Sequence, residues 1–167
     1  MIHRIKKYFR SKPNKFYQSE LIEKLHTEHQ KLVEIVLEIE QALEESKIRK
    51  IKKLLKNFAK ELELHLLYED TNLYEHLYIR YFYYTEIKEK IQAKHNEMKE
   101  IAEVVKKFLE THKELKYIEA FRKDFETIKS VLVKRVEFEE GVLYDIYNNV
   151  HKKEYVLKML SEGVKGD

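Results

Sequence analysis

Cysteine is absent from the chain, which excludes disulfides, thiolate metal sites, iron–sulfur clusters and cysteine nucleophiles. Any metal must be held by His, Asp, Glu or Tyr. Proline occurs once, at Pro13, and no glycine precedes Gly141. So little turn-forming material favours long helices and an all-α fold. No apolar run is long enough to span a bilayer, and residues 1–19 lack the apolar stretch of a secretory signal, so the expected location is cytoplasmic, with no integral membrane segment. Charge of one sign is not in large excess either. The 33 Lys and Arg against 30 Asp and Glu leave a formal +3, too even for a nucleic-acid binder by bulk electrostatics.

What the chain does have is charge arranged by region and apolar residues arranged by helical period. With 167 residues it fits one domain with a substantial core. Arg4, Lys6, Lys7, Arg10, Lys12 and Lys15 all precede the first acidic residue, Glu20, so residues 1–19 form a basic N-terminal arm. Its apolar residues are interrupted by Pro13, and an arm folded back over the domain is the expectation.

Four helical stripes follow. From about residue 18 to 45, Ile22, Leu25, His29, Leu32, Val36, Ile39 and Leu43 recur at spacings of three and four. His26 lies at the edge of this stripe. Ser46 is the expected N-cap of a second helix running to about residue 80, with Ile51, Leu54, Phe58, Leu62, His65, Glu69, Asn72 and His76 on its inner face. Tyr74, Tyr78, Tyr81, Tyr83 and Tyr84 crowd its end and are expected to cap the bundle with wet hydroxyls. A third helix begins at Thr85 and carries Ile87, Ile91, His95, Met98, Ala102, Val105 and Leu109 inward. The fourth, about 116 to 149, presents Ile118, Phe121, Phe125, Ile128, Leu132, Arg135, Glu139, Val142 and Ile146. A short helix over Tyr155–Leu160 ends the chain. The architecture implied is an antiparallel up-down four-helix bundle over residues 20–150, with residues 151–167 as a C-terminal helix and tail.

Each stripe contains polar groups. His65 and Glu69 sit four residues apart, hence on one face of a helix at a metal-chelating spacing. An uncompensated carboxylate on a core face is costly, so Glu69 requires a cation, a proton or a metal. His29, His95 and the pair Arg135 and Glu139 bring the other three helices to a common level. Three imidazoles and two carboxylates suit iron, manganese or zinc. Residues 65–77, HLLYEDTNLYEHL, and 135–147, RVEFEEGVLYDIY, form two copies of one pattern in which Glu69 matches Glu139, Asp70 matches Glu140 and His65 matches Arg135.

TEHQKL at His29, HLLYED at His65 and Glu69, AKHNEM at His95 and RVEFEE at Glu139 together resemble the hemerythrin-like, HHE cation-binding family over about residues 20–150. The resemblance implies a di-iron site in which His29, His65 and His95 are terminal ligands and Glu69 and Glu139 bridging carboxylates, with a position left for dioxygen, nitric oxide or peroxide. His26 and His76 would stand beside the ligands. Arg135 replaces the fourth-helix histidine and cannot ligate a metal, since it stays protonated. The readings left open are a second metal held by a substitute such as His26, His76 or a tyrosine, a single metal or another divalent ion, and a metal-free interaction module in which Arg135 pairs with Glu139 and Glu69. An oxidase or peroxidase is a further alternative, although no acid–base residue singles out catalysis.

Overall fold

The computed structural model describes residues 20–149 and 152–162. The N-terminal arm expected over residues 1–19 lies outside them. Helix α1 spans Glu20–Glu44. The second rod is α2 (Ile48–Glu69), a π-helical turn π1 (Asp70–Tyr74) and α3 (Glu75–Arg80). The third is α4 (Thr85–His112), and the fourth is α5 (Ile118–Phe138), a second π turn π2 (Glu139–Leu143) and α6 (Tyr144–Asn148). A final helix, α7 (Lys153–Glu162), packs beside α4 through the buried Val156 and Leu160. The described chain is an all-α helical bundle.

Neighbouring rods run antiparallel. Lys31 pairs with Glu61 and Lys50 with Glu38 between the first two rods. His112 meets Asp124, and Arg135 reaches Met98, between the last two. In each case residue numbers rise along one rod as they fall along the other. The turns are tight although they contain no glycine. Ser46 closes α1 with φ 53°, its N–H bonding the Leu43 carbonyl and that of Lys47 the Ala42 carbonyl. This is a left-handed C-terminal motif, and it corrects the expectation that Ser46 caps the second helix. The residue before α2 is Lys47, which makes no side-chain cap bond. Leu115 takes the same conformation after α4, at φ 47°.

The stripes on the first, third and fourth rods are buried largely as their spacing predicts, with Leu109, Ile118 and Leu132 only partly covered. The second rod departs. Asn72 and His76 are exposed, whereas Leu73, Tyr74, Leu77 and Tyr81 are buried. The cause is π1. The Glu75 N–H bonds the Asp70 carbonyl five residues back, which inserts one extra residue into the turn and moves every later side chain around the axis. Two of the tyrosines expected to be wet, Tyr74 and Tyr81, are therefore each 1% exposed and belong to the core, while Tyr83 remains at the surface.

The apolar interior falls into two clusters. One is built on Leu32–Leu43 of α1 with α2, α4 and α5. The other is built on Ile22 and Leu25 with the two π turns, α6 and α7. Between them lies a layer of buried polar side chains: His29, His65, Glu69, His95, Arg135 and Glu139.

Candidate metal centre

Both buried glutamates stand where an α-helix gives way to a π segment. Glu69 precedes π1 and Glu139 opens π2, and the Tyr144 N–H bonds the Glu139 carbonyl five residues back just as Glu75 does Asp70. The residue after each glutamate, Asp70 or Glu140, is half-buried and meets a histidine of the polar layer.

His29 is the hub. Its Nδ1–H donates to Glu140 Oε1 at 2.8 Å, and its Nε2 faces His65 Nε2 at 3.1 Å and Glu139 Oε2 at 3.0 Å. The Tyr144 hydroxyl lies 3.4 Å from the same nitrogen. His65 is held in the same sense, its Nδ1–H donating to Glu28 Oε2 at 3.0 Å. Two carboxylates thus fix protons on the outer nitrogens, and the two inner nitrogens converge on a carboxylate. Burial opposes a charge on His29, but Glu139 and Glu140 overcome it and raise its pKa to about 10. Burial lowers that of His65. In the metal-free state a single proton therefore lies between the two rings, carried by His29.

Arg135 organises the other side. One terminal nitrogen donates to Glu69 Oε2 at 2.7 Å and the other to the Met98 carbonyl at 2.7 Å, while Nε stands 2.6 Å from Glu139 Oε1 without hydrogen-bond alignment. Burial pushes the Glu69 carboxyl up to about 8, with the Glu139 charge adding to it against the pull of Arg135. Glu139 goes the other way: against burial, Arg135 and His29 draw it down to about 2. The two carboxyls are driven in opposite directions, Glu69 up and Glu139 down, because two adjacent buried carboxylates resist sharing one interior as anions.

The structure brings His29, His65 and Glu139 together, with one ligating atom from each within 4.8 Å of the others. It places Glu69 beside them through Arg135. His95 is not in this group. Its Nε2–H donates to Asp70 Oδ1 at 2.8 Å, its Nδ1 accepts from the Tyr78 hydroxyl at 2.6 Å, and its ring stacks on Tyr74 at 3.7 Å. His26 bonds the second oxygen of Glu140 at 3.0 Å. His76 is exposed and meets the Tyr147 ring at 5.0 Å.

The donor set suits a metal. Glu69 Oε1 and both oxygens of Glu139 are buried without a hydrogen bond of proper geometry, acceptors that a cation would satisfy. Two imidazoles and a carboxylate are the ligand chemistry of non-haem iron(II). Beside them lies a cavity of about 40 Å³, walled by Leu32, Val36, Phe58, Leu62, Leu132 and Val136.

A family model, that of the hemerythrin HHE cation-binding domain, matches residues 20–147. The chain belongs to this hemerythrin family. No curated protein and no solved structure matches the chain. Membership in a cation-binding hemerythrin family and a buried His/His/Glu group agree in pointing to metal binding.

Three site residues were not singled out from the hemerythrin-like motifs: Glu28, Glu140 and Asp70, the carboxylates that hold the imidazoles. The signal for two of them lay in the internal repeat, where Asp70 and Glu140 follow the two glutamates at matching positions. Glu28 carries no such mark, since its partner His65 is on another helix.

Proposed function

We propose that this hemerythrin-domain protein binds iron through His29, His65 and Glu139, with Glu69 alongside, and through it takes up or senses dioxygen, nitric oxide or peroxide in the cytoplasm. The observation that carries the reading is the convergence of two oriented imidazole nitrogens and a carboxylate in a buried layer. Iron held there supplies an open coordination position and a change of valence. The chain's own residues do the rest. Glu28 and Glu140 hold the inner nitrogens of His65 and His29 in the ligating tautomer. The cavity has room for two or three atoms against a largely apolar wall, which suits a small uncharged ligand.

A second reading is a metal-free interaction module, favoured by the buried ion pairs of Arg135 with Glu69 and Glu139. Thermal unfolding of chelator-treated protein, with and without added ferrous iron under argon, separates the two. Free iron at 100 times its dissociation constant adds about 2.7 kcal/mol of stability. A melting temperature that iron does not move supports the module and removes the iron site. Absorption spectra recorded as air or nitric oxide is admitted to the loaded protein then test the ligand.

A further inference from the structure

Corresponding residues of the two copies of the internal repeat each hold one histidine of the polar layer. On one side His29 is held by Glu140 and flanked by the Tyr144 ring at 5.8 Å. On the other His95 is held by Asp70 and stacked on Tyr74. Glu140 and Asp70 are corresponding residues of the repeat, as are Tyr144 and Tyr74. What differs is the remaining member, His65 on the first side and Arg135 on the second.

The geometry points to a centre for one metal ion, at His29, His65 and Glu139, with the Arg135 guanidinium standing as a permanent cation in the second half-site. This rests on the iron reading above. Three observations support it. Arg135 contacts both glutamates, Glu69 and Glu139, and so occupies the position from which a second ion would reach the same two carboxylates. Its third contact, to the Met98 carbonyl, ties it to α4, the helix that also carries His95. Finally, His95 has no free lone pair: one ring nitrogen donates to Asp70 and the other accepts from Tyr78, whereas His29 and His65 each keep an inner nitrogen turned towards the centre. A guanidinium cannot lose its proton to make room, so it repels a second cation as well as filling its volume.

The test is a count. Full-length protein is titrated with ferrous iron under argon, desalted and measured for iron per chain. The wild type is expected to hold one iron and, after oxidation, to show the electron paramagnetic resonance signal of an isolated high-spin ferric ion. Arg135→His is expected to approach two irons per chain, with the ferric signal lost to coupling between neighbouring ions. His95→Ala, in case the first variant does not fold, is expected to retain one iron with affinity within about twofold of wild type. Two irons in the wild type would overturn the single-ion centre while leaving the iron reading intact. No iron in the wild type overturns both. Loss of the iron in His95→Ala, or a single iron in a folded Arg135→His, would also overturn it.

Discussion

The half of the centre around His65 and the half around Arg135 begin from the same repeat and reach opposite solutions to one problem. Both must compensate a glutamate that is fully buried. Around Arg135 the compensation is built into the covalent chain, a guanidinium fixed by three contacts. Around His65 it is left to something exchangeable, the proton shared with His29 or a metal ion in its place. On the proposed reading, one difference between the two copies of a repeat, His65 against Arg135, separates a structural half from a metal-binding half.

The largest effect should come from removing the fixed cation. Arg135→Met leaves Glu139 with His29 alone to compensate it and strips Glu69 of its guanidinium partner, and is expected to cost the metal-free protein about 3–5 kcal/mol, measured by urea unfolding. A loss below about 1 kcal/mol would mean that the guanidinium is not what neutralises the buried carboxylate. On the half proposed to bind iron, His65→Ala deletes a proposed ligand and should weaken iron binding by more than about 100-fold, beyond what changes to ligand-supporting groups produce. Retention of near-normal affinity in a competition titration would move the metal elsewhere. The supporting carboxylates sharpen the contrast. Glu140→Gln, which loses the anion behind His29, should lower iron affinity by about 10–100-fold, whereas its counterpart Asp70→Asn, behind His95, should leave affinity nearly unchanged. Equal effects of the two would restore a symmetrical centre. Smallest of all, His76→Ala lies outside both halves: iron per chain should match wild type, and stability by urea unfolding should stay within about 0.5 kcal/mol of it.

Much of this was legible in the chain before folding. The stripes from Ile22 to Leu43 and from Ile87 to Val105 are buried as their spacing requires, because an uninterrupted α-helix keeps its period. Asn72 and His76 were misplaced because the extra residue of π1 breaks that period without any sequence mark as plain as proline. Ser46 was misread for a related reason. Serine is a common N-cap, and only its positive φ reveals that it ends one helix rather than starting the next.

By itself the sequence determined which residues face inward on three of the four rods, that a layer of His and Glu crosses the core, and that the copy containing Arg135 differs from the copy containing His65. These follow from helical period and side-chain chemistry, which are local. Only the tertiary structure decided which of those groups meet. It joined His29 to His65 and Glu139, turned His95 away to Asp70 and Tyr78, and recruited Glu28 and Glu140 from other helices. Rotation and register between rods set those partners, and both are fixed by packing and by the two π turns, neither of which a single stripe can report.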